Sequence, residues 1–390
     1  MNVLFWMSTG FQTTSRHLLI SILERLADAG CQITVLKKQT DDDAEALPAE
    51  LFGSGIRCVS VPVKTANKGN LPVRYIRDLI YVSRCKKQIR PNYDAVFVQS
   101  NNVAGFVLKA IRKKLPDAAV TFNVQDIFPY NAAFSGSIQR DGILFKALAR
   151  TQRYGYQHAD RIITISEDMK QTLIEDGADA DRIEVIYNWS YQDEPYDDPD
   201  LSPVSGMFDR AYFNVVYAGN IGVMQNVDIV VEAARQIKND DSVWFHIIGN
   251  GVYKEKLEAK AKAYGIQNIT FRPMQPPALA PLIYSAADVN VIPLVKDVYR
   301  TALPSKTATC LACRKPVIFA IGKSSRFGQK VENQTGCTVT DSDDAKGLAE
   351  AILAIKNSGG KADTREFFRR ECSRTNNSNR YAQIIMGKSR

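Results

Sequence analysis

The feature that most restricts this chain is a repeated alternation of two periods. Short apolar runs of strand character alternate with longer stretches of helical apolar spacing. In the first half the strand-like runs are 2–7, 31–36, 56–61, 95–99, 119–124, 161–165 and 183–187. The helical stretches between them are 17–29, 73–90, 103–114, 141–159 and 166–176. The first helix shows the signal well: Leu18, Leu19, Ile22, Leu23 and Leu26 share one face, and Gly30 stops it. Such a helix must bury one stripe, whereas a short apolar run bounded by turns suits a strand covered on both faces. Strict alternation of the two leaves few solutions. It predicts an α/β fold of parallel strands joined by right-handed helical crossovers, a doubly wound sheet.

The alternation breaks once, at 188–207. This stretch, NWSYQDEPYDDPDLSPVSGM, is acidic, holds three prolines and lacks periodicity. It reads as an interdomain linker. A second alternating series follows. Strands are expected at 213–217, 243–248, 269–271, 289–295, 316–318 and 336–340, with helices at 226–237, 254–264, 279–285 and 345–355. The tail, 364–386, reads as helical and basic. The expected division is a first domain at 1–190, a linker at 191–210, a second domain at 211–365, and a C-terminal helix at 366–390 packing back toward the first domain. Ligands of doubly wound sheets sit outside the carboxyl ends of the strands. Two such halves predict a site in the cleft they face.

Charge and cysteine content narrow the class. No apolar run approaches the roughly 20 residues that span a bilayer, and the N-terminus reads as a strand rather than a leader. Seven scattered cysteines imply reduced thiols and a cytoplasmic setting. Cys310 and Cys313 lie at helical spacing and read as packing; with one such pair and three histidines, no structural zinc is expected. Asp41 to Asp43 and Asp240-Asp241 read as solvated loop charges. The net charge is +8, and 57–115 carries thirteen Lys/Arg against two Asp. Lys86, Lys87, Lys113 and Lys114 in that stretch suit an anionic membrane surface or a phosphorylated acceptor. No nucleic-acid motif accompanies the charge, so no nucleic-acid partner is expected.

The chemistry is expected at strand ends in the second half. Gly219-Asn220-Ile221-Gly222 follows the first strand there, and Gly249-Asn250-Gly251 the second. Glycine at such turns lets backbone approach a phosphate or sugar. Arg272 to Pro277 follows the third strand. After the 289–295 run come a polar loop with Arg300, then Pro304-Ser305-Lys306 at a helix start, an arrangement that favours phosphate.

These residues, in this order, resemble a retaining, nucleotide-sugar-dependent glycosyltransferase of family 4 with the GT-B fold, two Rossmann-like domains facing a cleft. The resemblance leans toward the bacterial O-antigen and capsule branch. It runs through Ser8-Thr9-Gly10, Val124-Gln125-Asp126-Ile127-Phe128-Pro129, Ala159-Asp160-Arg161-Ile162-Ile163-Thr164-Ile165-Ser166 and Val185-Ile186-Tyr187-Asn188-Trp189. It continues in Val216-Tyr217-Ala218-Gly219-Asn220-Ile221-Gly222, Ile247-Ile248-Gly249-Asn250-Gly251, Ala287-Asp288-Val289, Pro304-Ser305-Lys306 and Lys315-Pro316-Val317-Ile318.

The resemblance implies a nucleotide-sugar donor, a UDP-sugar, held by the second domain. Gly219, Asn220 and Gly222 would lie beside the diphosphate, Gly249 and Gly251 near the nucleoside, and backbone at Arg272 and Met274 near the base. Ser305 and Lys306, with Arg300, would meet the diphosphate. Gly10 would approach the donor, and Asp126 would face the reacting sugar and a lipid-linked or growing glycan acceptor. No cofactor and no metal are implied. The expected place is the inner face of the cytoplasmic membrane, peripherally bound.

The chain also departs from the pattern. Where most of the family has two glutamates, it has Thr301 and Thr309; the resemblance implies that the second of these positions would meet the ribose. Arg314 replaces a usual glycine, Asn220 and Gln225 stand for a common Arg and Lys, and Gln125 stands for a common His. These departures keep open a non-catalytic partner subunit of a glycan-assembly complex, or a sugar-nucleotide epimerase on the same fold.

Overall fold

Strands that read as continuous apolar runs pair in parallel and are covered on both faces. The computed structural model describes residues 1–13, 15–39, 47–64, 71–360 and 362–387; Asp41 to Asp43 lie outside them. The chain forms two compact units, Met1–Asn188 with Arg374–Arg390, and Trp189–Ser373.

Among the described residues of the first unit, the strands are β1 (Asn2–Trp6), β2 (Gln32–Gln39), β3 (Arg57–Pro62), β4 (Ala95–Gln99), β5 (Ala119–Val124), β6 (Arg161–Thr164) and β7 (Ile183–Val185). They pair in parallel in the order β3-β2-β1-β4-β5-β6-β7. Every residue of β4 is buried, as its sequence AVFVQ requires. The order reverses between β1 and β4, where Val3 pairs with both Ile33 and Ala95. Helices Leu71–Lys86, Ala104–Lys114 and Ile143–His158 lie side by side against the sheet, and helix Arg374–Ile385 packs on helix Arg16–Asp28 and on β4 and β5.

The second unit repeats the design with β8 (Phe213–Ala218), β9 (Val243–Ile248), β10 (Ile269–Arg272), β11 (Val289–Pro293), β12 (Val317–Ala320) and β13 (Thr338–Thr340). Their order is β10-β9-β8-β11-β12-β13, again parallel, with the reversal between β8 and β11. Its core gathers Val215, Tyr217, Phe245, Ile247, Val289 and Val291 against the helices Asp228–Gln236 and Ala345–Ser358.

Two boundaries differ from the sequence expectation. The acidic stretch drawn as a linker at 191–210 is folded onto the second unit. Tyr196 N–H donates to Ala312 O at 2.8 Å. Asp197 pairs with Arg314 and, at 2.9 Å, with Arg365, while Glu194 pairs with Arg369 at 2.6 Å. The acids looked unbalanced because their partners lie far along the chain. The tail is likewise two helices, not one: Arg365–Glu371 belongs to the second unit and Arg374–Ile385 to the first.

Candidate functional site

In the second unit the loops after β8 and β9 are locked together by absent side chains. A Cβ on Gly249 would stand 1.8 Å from Gly219 O, and one on Gly251 2.2 Å from Ile221 O. No larger residue fits against a backbone oxygen at that range. The same loops share backbone hydrogen bonds, Gly219 N–H to Ile248 O at 2.9 Å and Ile221 N–H to Asn250 O at 2.8 Å. Asn250 Oδ1 in turn accepts from Met274 N–H at 3.3 Å, which ties in the turn after β10. Gly249 and Gly251 thus bring three strand-end turns into one cluster at the sheet's point of reversal.

Lys306 enters this cluster from the β11 side. It caps the short helix Thr307–Ala312, which Pro304 precedes. Its Nζ sits 3.7 Å from the centre of the Tyr217 ring. A Cβ on Gly219 would come 2.6 Å from that Nζ, so glycine there makes room for the ammonium. The stem of Lys306 is part-exposed, but Nζ is buried and has no hydrogen-bond partner. Burial holds its pKa down at about 8. A ring face offers an ammonium about 0.5–2 kcal/mol, less than the several kcal/mol that desolvation costs. The ammonium therefore lacks an anion, and a phosphate arriving at the Gly219 turn would supply one. Tyr217 is itself fixed, donating its hydroxyl hydrogen to Asn220 O.

The positions that depart from the family pattern are accounted for locally. Asn220 and Gln225 form a neutral pair, Nδ2 to Oε1 at 3.1 Å, folded over Gly222, where a Cβ would meet both side chains. Thr301 is buried and donates to Val298 O at 3.1 Å. Thr309 is half-buried on the helix that Lys306 caps, and Ser305 is exposed. Arg300 is half-buried at the end of a single helical turn. Arg314 keeps the left-handed backbone (φ 55°) that a glycine would hold with less strain. Arg272 turns its guanidinium to His246 Nδ1 at 3.2 Å; His246 Nε2 then donates to Asn214 Oδ1 at 2.9 Å. Burial, with Arg272 beside it, pushes His246 down to about 4, so the ring is neutral.

In the first unit the carboxyl ends of β1, β4 and β5 converge. Gly10 follows β1 and Asp126 follows β5. Ser8 N–H donates to Gln99 Oε1 at 2.9 Å, and Ser100 Oγ donates to Asp126 O at 3.2 Å. The surrounding protein pushes the Asp126 carboxyl up to about 6, although its side chain reaches solvent. Behind it, Asn123 Oδ1 accepts from both Gln125 Nε2 and Tyr381 Oη at 3.1 Å. Tyr381, from the C-terminal helix, is a residue sequence reasoning missed; a tyrosine among TNNSN polar residues carries no local signal.

Lys86, Lys87, Lys113 and Lys114 are exposed, but they stand at the C-terminal ends of their helices. In a parallel crossover that end adjoins the amino ends of the strands. They are thus at the opposite end of the sheet from Gly10 and Asp126. Their charges complement the helix carbonyl ends.

Comparison with known proteins fits this geometry. Residues 18–189 match the glycosyl transferase 4-like domain, and residues 207–371 match the glycosyl transferases group 1 family. The chain is 27% identical over 245 residues to the putative colanic acid biosynthesis glycosyl transferase WcaI of Escherichia coli (strain K12), covering 60% of this chain and 59% of WcaI. It is 24% identical over 217 residues to the probable glycosyltransferase WbjE of Pseudomonas aeruginosa, covering 55% and 53%. The matches thus span little more than half the length of these relatives. The fold is shared with Anabaena Alr3699/HepE, solved in complex with UDP, at TM-score 0.76 and 15% identity over 99% of this chain and all of that one. Two Rossmann-like parallel sheets, each with its turns gathered at the point of reversal, and the two matched domains in this order place the chain in the GT-B glycosyltransferase family.

Proposed function

We propose that this glycosyltransferase takes a sugar from a UDP-sugar bound to the second unit and transfers it, with retention, to a lipid-linked or growing surface glycan. The buried, anion-free Lys306 ammonium at the Gly219 turn carries the reading. Support comes from HepE, solved with UDP and with UDP-glucose, and from the role that the name of WcaI states in colanic acid biosynthesis. No helix among the described residues is long and apolar enough to cross a membrane, so peripheral binding at the cytoplasmic face is proposed for reaching a lipid-linked acceptor.

As the bond from the sugar to the leaving phosphate breaks, negative charge grows on the diphosphate. Lys306, with Ser305 and Arg300 in the same strand-end segment, offsets that charge. The acceptor hydroxyl attacks from the face the leaving group vacates, and its proton passes to a leaving phosphate oxygen. The new bond is a glycosidic bond and the product is UDP. Asp126 orients the acceptor, and Gly10 lets the donor approach. Positive charge at the diphosphate is the task of Lys306 in this reading, so no cofactor or metal is invoked.

The test is a calorimetric screen of nucleoside diphosphates, followed by transfer from the bound UDP-sugar and NMR of the product anomer. Retention of the donor's anomeric configuration is expected; an inverted product would overturn the mechanism. Asp126→Asn should lower turnover at least about tenfold while leaving UDP affinity within about twofold. An unchanged rate would return Asp126 to a turn carboxylate. Thr301, with its hydroxyl committed to Val298 O, favours a second reading as a non-catalytic partner subunit of a glycan-assembly complex. Slow hydrolysis of the bound UDP-sugar would argue against that.

A further inference from the structure

We infer that the second unit holds a further sugar site, a pocket at the edge of its sheet that takes a saccharide bearing a carboxylate or phosphate group. The inference goes beyond the donor reading and does not rest on it.

The pocket follows from strand alternation. Phe245 and Ile247 of β9 enter the core with the helices Asp228–Gln236 and Ala345–Ser358. Their neighbours Trp244 and His246 therefore stand on the other face, as do Thr270 and Arg272 of the edge strand β10. The segment 205–212 lies against this face and leaves a pocket of about 490 Å³. That volume falls within the roughly 300–1,000 Å³ of small-molecule sites. Its walls set Phe208, Tyr212 and Trp244 beside Asp209, Arg210 and Arg272.

The rings are fixed by the protein itself. Trp244 Nε1 donates to Thr270 Oγ1 at 2.8 Å, and the Tyr212 ring lies 5.1 Å from the Trp244 ring at 46°. Both rings are half-buried, so each keeps part of its surface for the pocket. Such a surface suits a sugar ring, whose C–H face is apolar and whose edge is polar. Asp209 offers the edge an acceptor. One of its oxygens receives Ala211 N–H at 2.9 Å, and the other makes no hydrogen bond among the described residues.

Arg272 decides the charge of the ligand. It makes no ion pair among the described residues, and burial lowers its pKa. A chain of hydrogen bonds aims it instead. Asn214 Nδ2 donates to Asp288 Oδ2 at 3.3 Å, His246 Nε2 to Asn214 Oδ1 at 2.9 Å, and Arg272 Nη1 to His246 Nδ1 at 3.2 Å. The carboxylate stands at the far end of this chain, so the guanidinium meets only a neutral imidazole. Of its roughly five N–H donors the chain uses one. Arg210, exposed and also without an ion pair, adds a second positive charge against the single carboxylate of Asp209. A guanidinium fork pairs with carboxylate or phosphate through two parallel bonds. A neutral sugar would leave Arg272 without an anion, and a bare anion would leave the rings uncovered. The pocket fits the two joined.

The experiment titrates the full chain with methyl glucuronide, glucuronate, a hexose phosphate, methyl glucoside and inorganic phosphate, in saturating UDP. Calorimetry reads binding, and so does tryptophan fluorescence: of the three tryptophans, Trp6 and Trp189 are buried, which leaves Trp244 to respond. An acidic sugar should bind with a Kd at or below about 1 mM, at least about tenfold more tightly than methyl glucoside or phosphate. Binding of methyl glucuronide, whose anomeric carbon is closed, assigns the pocket to an acidic residue within a glycan. Binding of glucuronate or hexose phosphate without it assigns a free acidic sugar. Trp244→Leu and Arg272→Gln should each weaken the bound sugar at least about tenfold. Unfolding curves check that these variants fold, and Arg210→Glu, on the exposed rim, should weaken binding about threefold or more at low salt. No acidic sugar bound, equal binding of methyl glucoside or phosphate, displacement by UDP, or variants that bind like wild type would each overturn the inference. UDP binding without acidic-sugar binding sinks this inference and spares the donor reading; acidic-sugar binding without any UDP binding does the reverse.

Discussion

Lys306 combines a buried ammonium, a ring face for support and no anion. Two opposite pH dependences follow. Its pKa in the folded chain is lowered to about 8, below that of an unfolded lysine. Between about pH 8 and the unfolded value the unfolded chain binds more protons, so the unliganded protein gains stability from this group as pH rises. A bound diphosphate restores the charge, so UDP affinity should be flat below about pH 8 and fall above it. Lys306→Arg should flatten that fall, because guanidinium stays charged. Affinity that rises from pH 8 to 10 would contradict the assignment. Gly249 gives a steric counterpart. Gly249→Ala places a methyl 1.8 Å from a backbone oxygen, and the turn cluster must open. A loss of about 2 kcal/mol or more in unfolding free energy is expected, with weaker UDP binding. A variant as stable as wild type would show that the two loops are not locked.

At the scale of elements, the C-terminal helix Arg374–Ile385 is more than a terminal appendage. Its Tyr381 hydroxyl holds Asn123, and through it the exit of β5 toward Asp126. Arg374 adds Glu24 at 2.6 Å, and Asn377 Nδ2 donates to Tyr187 O at 2.9 Å. Tyr381→Phe should cost about 1–2 kcal/mol, the worth of a buried hydrogen bond, in denaturant unfolding. A neutral result would mean that Asn123 and Gln125 satisfy each other without it. The elements themselves were largely legible in the sequence, because apolar periodicity is local: the helix stripe of Leu18, Leu19, Ile22, Leu23 and Leu26 is all buried. What was not legible is whatever depends on distant partners. Asp197 and Glu194 looked like linker charges until Arg314, Arg365 and Arg369 were placed beside them. The strand-end position of Gly219 and Lys306 was legible too. Their mutual fit, and the Tyr217 ring beneath the ammonium, needed coordinates, since 86 residues of chain lie between Gly219 and Lys306.

For the molecule as a whole, two sheets of one design divide the work proposed here. In the proposed reading the second unit carries the nucleotide and the first the acceptor. The sequence reading placed a membrane or acceptor contact on Lys86, Lys87, Lys113 and Lys114, and the structure sets these lysines at the C-terminal ends of their helices, away from Asp126. The central claim is that the turn cluster around Lys306 binds the diphosphate of a nucleotide-sugar. Calorimetric titration of the full chain with UDP, wild type against Lys306→Ala, tests it most directly. Binding by the wild type that weakens about 10–100-fold in Lys306→Ala is predicted, the range for losing a charge-assisted contact. No UDP binding by the wild type, or equal affinity in the two proteins, would contradict it.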